Sequence, residues 1–286
     1  MASDVVIITG ASGGIGRELV GMCLANGFIV VAAAREDSLL LLSKAGLHPS
    51  DRLVIMPLDV RDDGDIDRVV TETFMRFGRI DALVNNAGIS FRGVAEHMTS
   101  DEELEQMAVN YFGPMMLIRR VLPHMRHRRA GRIINVSSVG GMMAMPTMSS
   151  YSASKWALEG ASEALWYELR PWNVSVTLVQ PGFIRSDAFR KVRLPQAFRA
   201  DGTEDDYGIL YSSMTSFVER LMVRSPSTSK SVARVILRQL VRKRPPLRVQ
   251  ATLDAWLFHY LRRFLPRRFY HPLLYHFLPN IRKWGS

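Results

Sequence analysis

Residues 5–16 read Val5-Val6-Ile7-Ile8-Thr9-Gly10-Ala11-Ser12-Gly13-Gly14-Ile15-Gly16. The apolar residues at the start are typical of a short buried strand, and residues 17–24 repeat apolar positions at helical spacing. The glycines therefore lie in a strand-to-helix turn, where backbone N–H groups and a helix N-terminus can bind phosphate. Their spacing is Gly-x-x-x-Gly-x-Gly rather than Gly-x-Gly-x-x-Gly. The stretch predicts a dinucleotide-binding loop.

The pattern around this loop predicts the fold. Short apolar strands alternate with longer amphipathic segments over roughly the first 190 residues, which is typical of a parallel sheet covered by helices on both faces. The chain has 286 residues and is 47% hydrophobic, enough for one large α/β domain. We expect a doubly wound Rossmann-type domain over residues 1–229 and a helical extension, rich in basic and aromatic residues, over residues 230–286.

Ser138, Tyr151 and Lys155 have the spacing of a proton-transfer group. A phenol has a pKa of about 10, which is too high for acid–base chemistry at neutral pH. A lysine four residues further along a helix would stabilise the phenolate and lower that pKa. Ser138 would hydrogen-bond a substrate oxygen as negative charge develops on it. A Tyr-x-x-x-Lys pair alone is also typical of an exposed helix, so the prediction depends on its combination with the glycine loop.

From Val5 to at least Asp187 the chain resembles the short-chain dehydrogenase/reductase family, because it also carries Asn85-Asn86-Ala87-Gly88 and Pro181-Gly182 after apolar strands. The resemblance implies that Asn110 joins Ser138, Tyr151 and Lys155 in catalysis by holding a water of the proton relay. Asp59 would lie beside the adenine, and Ser186 stands where the family usually has Thr. The resemblance implies this cofactor-binding set: Gly10, Ser12, Gly13, Gly14, Ile15, Gly16, Asp59, Val60, Asn86, Ala87, Gly88, Tyr151, Lys155, Pro181, Gly182, Ile184 and Ser186.

Residues 137–142, 151–160 and 245–248 resemble the hydroxysteroid and retinol dehydrogenase branch of that family. This resemblance implies a lipophilic ketone, aldehyde or secondary alcohol as substrate. Apolar and methionine side chains are typical of an adaptable pocket. The expected pocket residues are Phe91, Val139, Met142, Met143, Met145, Pro146, Met148, Phe183 and Phe189. The alternative is a regulator of the same fold that senses NADP without turnover, although a pure sensor has no need for four proton-transfer residues.

The second strand ends at Ala34, followed by Arg35. An NAD site usually places a carboxylate here to bind the ribose 2′-hydroxyl. No acid stands at the strand end, and Arg35 could bind a 2′-phosphate with two hydrogen bonds. Glu36 and Asp37 follow, and either could reach a ribose instead. The sequence favours NADP over NAD.

Basic residues are concentrated at the C-terminal end. Residues 230–286 hold 13 Lys and Arg against one acid, Asp254, whereas the rest of the chain holds 24 Lys and Arg against 26 acids. A helix starting near Ser231 should break at residues 242–246, and an amphipathic helix over residues 251–265 should end at Pro266. Three interpretations remain open for residues 250–286: a membrane-surface anchor, a nucleic-acid-binding segment, or a lid packed over the active site. We expect no nucleic-acid partner.

Cys23, the single cysteine, falls on the apolar side of the first helix and is expected to be buried. The first strand follows Met1 so closely that no cleavable signal is expected, which favours a reducing cytoplasmic location, with peripheral membrane contact as an option. The seven histidines are scattered and predict no metal site. Helices near residues 102–126 and 151–169 resemble the dimer helices of the family and imply a homodimer. Their apolar residues are Met107, Val109, Phe112, Met116, Leu117, Trp156, Leu158 and Trp166.

Overall fold

Seven parallel strands form a single sheet in a computed structural model that describes residues 3–186, 192–201 and 206–284. In chain order the strands are β1 (Val5–Thr9), β2 (Ile29–Ala34), β3 (Leu53–Pro57), β4 (Ala82–Asn85), β5 (Gly131–Val136), β6 (Val174–Gln180) and β7 (Arg248–Gln250). Their order in the sheet is β3-β2-β1-β4-β5-β6-β7. The strand order reverses between β1 and β4, and ligands of such sheets bind at the carboxyl ends of the strands near this point.

Helices cover both faces of the sheet, and two further helices lie in the extension that follows it. They are α1 (Gly14–Ala25), α2 (Leu40–Lys44), α3 (Asp63–Phe77), α4 (Ser100–Met107), α5 (Gly113–His127), α6 (Ser149–Leu169), α7 (Gln196–Asp201), α8 (Gly208–Arg224), α9 (Ser229–Val241), α10 (Leu253–Phe264) and α11 (Arg267–His276). A π-helical segment, Ala108–Phe112, joins α4 to α5. The predicted doubly wound fold is confirmed.

Two apolar cores lie on opposite faces of the sheet. Val6 and Ile8 of β1 belong to one core, and Ile7 belongs to the other. Because side chains alternate along a strand, a strand covered on both faces must be apolar throughout, as residues 5–8 are. Cys23 lies fully buried in the first core, and burial raises the pKa of its thiol to about 12. The expectation of a buried Cys23 is confirmed.

The Rossmann-type domain extends further along the chain than predicted. Helix α9 packs against α1 and contributes Val232, Ala233 and Ile236 to the core. Strand β7 then pairs in parallel with β6, with Leu178 opposite Arg248. The sheet domain therefore runs to Gln250, and the boundary predicted at residue 229 is about 20 residues too early. The basic residues of α9 lie on its outer face while its apolar face is buried, so the rise in positive charge does not mark the end of the sheet domain.

The extension after residue 250 contains two amphipathic helices. The helix predicted over residues 251–265 is present from Leu253 to Phe264, and Pro266 ends it and precedes α11. Within the described parts of the chain, no helix is long and apolar enough to cross a membrane.

Part of the apolar surface predicted for dimerisation faces inward. Val109, Leu117 and Leu158 are buried against the sheet or within the adjoining helices. Phe112 and Trp156 are 48% and 44% exposed and are the larger outward-facing residues of the predicted set. Within the predicted set, Phe112 and Trp156 therefore provide the larger exposed apolar surface on these helices.

Candidate active site

The glycine loop between β1 and α1 forms a narrow backbone cradle. Gly10 and Gly14 have φ angles of +62° and +50°, a region that favours glycine. A Cβ added at Gly16 would lie 2.3 Å from the Gly10 carbonyl oxygen. Gly13 precedes α1 and, having no side chain, does not cap it. The loop therefore brings backbone close to any bound group and offers a helix N-terminus to an anion.

The predicted turn at residues 86–88 lies against this loop. The Asn86 amide donates to the carbonyls of Thr9 and Gly10 at 2.9 and 3.2 Å. The Thr9 hydroxyl accepts the backbone N–H groups of Asn86 and Ala87, each at 3.0 Å. A Cβ added at Gly10 would lie 2.8 Å from the Ala87 Cα. The turns that follow β1 and β4 therefore pack directly against each other.

Arg35, at the end of β2, lies near Ser12 of the glycine loop. The Ser12 hydroxyl donates to that of Ser38 at 3.2 Å, and Ser38 donates to the Arg35 carbonyl at 2.9 Å. The guanidinium of Arg35 forms an exposed ion pair with Asp37 at 3.2 Å. Such exposed pairs contribute only about 0–1 kcal/mol. The hydroxyls of Ser12 and Ser38 thus link the glycine loop to the backbone of Arg35.

Asp59, which the family resemblance places beside the adenine, binds another side chain in the structure. The Arg61 guanidinium donates to both carboxylate oxygens of Asp59, at 3.0 Å to one and 2.6 Å to the other. The hydrogen bond with Arg61 holds the pKa of Asp59 below its ordinary value. Val60, next along the chain, is buried, and its carbonyl and side chain lie against Gly113. The structure thus fixes this turn with protein contacts.

Ser138, Tyr151 and Lys155 meet at the carboxyl end of β5. Lys155 Nζ lies 6.0 Å from the centroid of the Tyr151 ring and donates to the Val136 carbonyl at 3.0 Å. Burial lowers the pKa of Lys155 to about 8, although the Glu159 carboxylate opposes this shift. Burial raises the pKa of Tyr151, and its hydrogen bond with Ser138 opposes that shift.

The predicted direction of the Tyr151 pKa shift is therefore wrong for this structure. Attraction between the Lys155 ammonium and a phenolate would by itself lower this pKa. Desolvation of the phenol is the larger effect, because a buried ring cannot stabilise negative charge with water.

Asn110 is fully buried on the π-helical segment. Its Nδ2 donates to the Ile89 carbonyl and to the Ser154 hydroxyl, both at 3.0 Å, while its Oδ1 accepts the Ile89 N–H at 3.0 Å. These contacts fix the backbone after Gly88, where an added Cβ would lie 3.3 Å from Asn110 Oδ1 and 3.8 Å from Lys155 Nζ. Both N–H groups of the Asn110 side chain are thus bonded to protein, and its role in holding a relay water stays a prediction.

The loop at residues 181–186 follows β6 and lies beside the Ser138 turn. The Pro181 carbonyl accepts the Val139 N–H at 2.7 Å. Ile184 is buried. The side chain of Ser186 is half-buried and interacts with other parts of the protein. A backbone hydrogen bond thus joins the expected nicotinamide-binding loop to the turn that carries Ser138.

The segments expected to line the substrate pocket are brought together. Gly93 pairs with Met148, and Phe91 pairs with Arg193. Phe91 and Met143 are buried, whereas Met142 is half-buried. Phe189 lies outside the described residues. A cavity of about 610 Å³ opens beside Phe91 and is bordered by Glu105, whose carboxylate pairs with Arg193 at 2.7 Å.

Several residues that support the site were not predicted from the sequence. Thr9 holds the residue 86–87 turn, and Ser154 holds Asn110. Thr252 and Asp254, from the extension, bind the backbone of residues 182–183. Thr9 is detectable as the last strand residue before the glycine loop, but residues 70 positions away carry no local signal of their contact.

The residues present fit a nicotinamide dinucleotide. The turn at residues 10–16 is suited to a pyrophosphate, because it carries glycines with positive φ and leads into the N-terminus of α1. Arg35 and Ser12 remain predicted contacts of the adenosine half, and the loop at residues 181–186, with Tyr151 and Lys155, remains the predicted contact of the nicotinamide half.

Comparisons with known proteins agree with this geometry. The profile of the short chain dehydrogenase family matches residues 4–197. A 3-ketodihydrosphingosine reductase of Bacteroides thetaiotaomicron is 31% identical over 279 residues, covering 94% of this chain and 99% of that protein.

Two solved structures share the fold. A short-chain dehydrogenase from Streptomyces avermitilis has a TM-score of 0.78 and 33% identity, covering 90% of this chain and 91% of the other. A short chain dehydrogenase/reductase from Burkholderia phymatum, in complex with NAD, has a TM-score of 0.77 and 23% identity, covering 91% and 93%. The chain belongs to the short-chain dehydrogenase/reductase family of oxidoreductases.

Proposed function

We propose that this protein is an NADP(H)-dependent oxidoreductase that interconverts a lipophilic ketone or aldehyde with its alcohol. The observation that carries the proposal is the meeting of Ser138, Tyr151 and Lys155 beside the glycine loop. The match to a relative named as a 3-ketodihydrosphingosine reductase, over almost the full length of both chains, supports a lipid-like substrate. Methionines near Ser138 supply an adaptable apolar surface for it.

A bound nicotinamide dinucleotide supplies or accepts the hydride. Ser138 donates a hydrogen bond to the substrate oxygen, and Tyr151 transfers a proton to that oxygen as it gains negative charge. The raised pKa of Tyr151 keeps the phenol protonated before transfer. The Lys155 ammonium, 6.0 Å from the ring centroid, then stabilises the phenolate. Asn110 positions Ile89 and Ser154 around this group rather than acting on the substrate.

The NADP assignment rests on the end of β2. Ala34 ends the strand without an acid, and Arg35 is 55% exposed, so its guanidinium is accessible to a phosphate. Asp37 competes for Arg35 in an exposed pair, but a 2′-phosphate carries more charge and can accept two parallel hydrogen bonds. The hydroxyls of Ser12 and Ser38 lie beside the backbone of Arg35.

Steady-state kinetics with NADPH and NADH test the proposal. We expect a higher kcat/KM with NADPH and, for Arg35→Ala, a loss of about 10- to 100-fold with NADPH but little change with NADH, because only the phosphate contact is removed. Arg76→Ala, at an exposed site on α3, is the matched control and should change neither value. A wild-type preference for NADH would refute the NADP assignment.

We also propose that the outer face of the extension binds an anionic membrane surface. Trp256, Leu257, Phe264, Phe269 and Phe277 are each more than half exposed. The extension after residue 250 holds six Lys and Arg against Asp254. Exposed aromatic and leucine side chains between cations suit the interface of an anionic bilayer.

The inner face of the extension packs on the catalytic body. Arg262 stacks over Trp156 at 4.6 Å and donates to the Met142 carbonyl, and Asn280 donates to Ser213 at 3.1 Å. The lid and anchor interpretations are therefore compatible, because they use opposite faces of the same helices.

We also propose that the protein forms a homodimer through helices α4, α5 and α6. Leu104, Phe112 and Tyr167 are exposed apolar or aromatic residues on these helices. Burying such side chains against a second copy removes their apolar surface from water. Light scattering at micromolar concentration should give twice the 32.3 kDa mass of one chain; a monomer would contradict the assembly.

A further inference from the structure

The first turn of α10 is hydrogen-bonded to the backbone that follows β6. Thr252 Oγ1 accepts the Gly182 N–H at 2.9 Å, and Asp254 Oδ2 accepts the Phe183 N–H at 2.7 Å. Just before them, the Ala251 N–H donates to the Gln180 carbonyl at 3.0 Å. These bonds attach the start of the extension to the loop expected to hold the nicotinamide.

Close packing accompanies these bonds. Thr252 is 6% exposed, and its hydroxyl also caps α10 by accepting the Ala255 N–H at 3.4 Å. Ala255 is fully buried. A Cβ added at Gly182 would lie 1.9 Å from Asp254 Oδ2, so the carboxylate occupies the space that any larger residue would need.

The same loop is held from its other side by the segment between α8 and α9. The Ser225 hydroxyl donates to the Phe183 carbonyl at 2.6 Å, and the Arg185 N–H donates to the Ser227 carbonyl at 2.8 Å. Ile184, one of the predicted cofactor-binding residues, lies between these attachment points and is buried. The orientation of its peptide groups therefore depends on Thr252 and Asp254 on one side and on Ser225 and Ser227 on the other.

The charge of Asp254 is unusual for its surroundings. It is the only acid in residues 230–286, which hold 13 Lys and Arg. Its position in the first turn of α10 is favourable to the helix dipole, but an exposed acid would achieve that equally well. A carboxylate directed at a backbone N–H forms a charge-assisted bond, which is shorter and stronger than a neutral one.

We propose that Thr252 and Asp254 are positioning residues for the nicotinamide half of the cofactor. They fix the backbone of residues 182–184, so the extension contributes to the geometry of the active site. The inference rests on the proposed function, because the loop matters to turnover only if a nicotinamide binds there. It differs from a purely structural role, which would reduce the amount of folded enzyme without affecting one half of the cofactor site.

The test compares two ligands in the full-length protein. NADPH reaches both halves of the site, whereas adenosine 2′,5′-bisphosphate reaches only the adenosine half. For Asp254→Ala and Thr252→Val we expect kcat to fall by about 10- to 100-fold, since small misplacements of reacting groups have effects of this size. We also expect weaker NADPH binding, while the Kd for adenosine 2′,5′-bisphosphate stays within about twofold of wild type.

Conservative and matched variants separate positioning from folding. Asp254→Asn and Thr252→Ser keep an acceptor oxygen and should restore most of the NADPH affinity. Asp101→Ala removes an exposed acid from the first turn of α4 and should leave both affinities and kcat unchanged. An equal loss of affinity for NADPH and for adenosine 2′,5′-bisphosphate would overturn the proposal. Normal kcat and normal NADPH affinity in both Asp254→Ala and Thr252→Val would overturn it as well.

The same variants test the role of Thr252 and Asp254 if NADP is not the cofactor. If the wild type binds NADH instead, the comparison is made between NADH and AMP. A loss of affinity for NADH alone then supports the positioning role and refutes the assignment of NADP as the cofactor. If the wild type binds a dinucleotide but turns over no carbonyl, the split between the two affinities still decides the role of the two residues.

Discussion

Lys155 keeps an ammonium group inside the protein, next to the phenol that it is proposed to assist. Its surroundings offer one carbonyl acceptor, Val136, and one nearby carboxylate, Glu159. These contacts do not compensate for the loss of water, so burial lowers the lysine pKa to about 8. The same desolvation raises the pKa of Tyr151. The two shifts have opposite signs because one group is charged when protonated and the other is neutral.

The Lys155 shift predicts a dependence of stability on pH. In the unfolded chain the lysine regains its ordinary pKa of 10.5, so between pH 8 and pH 10.5 the unfolded state binds more protons than the folded state. The free energy of unfolding should therefore rise with pH in this window, by up to about 1.4 kcal/mol per pH unit. Below pH 8 lysine is protonated in both states, and this contribution becomes constant.

Urea unfolding of wild type and Lys155→Met at about pH 7.5 and about pH 9.5 measures this effect. The wild type should gain stability relative to the variant at the higher pH. Cys23 has a raised pKa and acts in the opposite direction above its ordinary value of 9.0, but it is present in both proteins and cancels in the difference. A difference that is the same at both pH values would show that Lys155 is not perturbed by burial.

At the scale of elements, two glycines of α1 differ sharply in whether a methyl group can be added without a clash. A Cβ at Gly16 would lie 2.3 Å from the Gly10 carbonyl oxygen, whereas one at Gly21, in the middle of α1, has no atom within 4 Å. Gly16→Ala should lower the free energy of unfolding by about 1–3 kcal/mol and weaken NADPH binding, since backbone must shift.

Gly21→Ala is the matched control on the same element. It should raise the free energy of unfolding by about 0.5–1 kcal/mol, because alanine favours helix and restricts the unfolded chain, and it should leave NADPH binding unchanged. Urea unfolding and cofactor titration check both variants. Normal NADPH affinity in Gly16→Ala would show that the loop does not need its observed close approach.

The elements that bear the candidate catalytic group could be predicted because their signals are local. Residues 5–16 combine an apolar strand with glycines, and Tyr151 and Lys155 are one helical turn apart. Strand β7 is only three residues long and follows two prolines, so its pattern is too short to predict. The contact of Asp254 with Phe183 spans 71 residues and depends on β7 pairing with β6. Such contacts follow from the assembled sheet rather than from any stretch of sequence.

For the whole molecule, the exposed face of the extension predicts binding to anionic vesicles. Wild-type protein should co-sediment with phosphatidylserine-containing vesicles, and less so at high salt, which screens the basic side chains. A Trp256→Ser, Leu257→Ser double variant should bind at least about tenfold more weakly, because each buried side chain contributes about 1.5–3 kcal/mol. These residues are 54% and 58% exposed.

Met75→Ser is the matched control for that experiment. Met75 is 80% exposed on α3, in a different element, and its replacement should leave vesicle binding unchanged. Both variants retain the contacts between the extension and the catalytic body. Unaltered binding by the double variant, or equal binding of wild type to neutral vesicles, would contradict the membrane proposal.

The central claim, proton transfer by Tyr151 in a nicotinamide-dependent reaction, is tested most directly by NADPH oxidation with a panel of hydrophobic ketones and aldehydes. We compare wild type, Tyr151→Phe and the control Tyr167→Phe, which alters an exposed tyrosine on the same helix. Wild type and Tyr167→Phe should turn over alike, whereas Tyr151→Phe should lose on the order of 10²–10⁴ in kcat with NADPH affinity retained. Equal turnover by Tyr151→Phe and wild type, or NADPH binding by wild type without reduction of any carbonyl, would contradict the account.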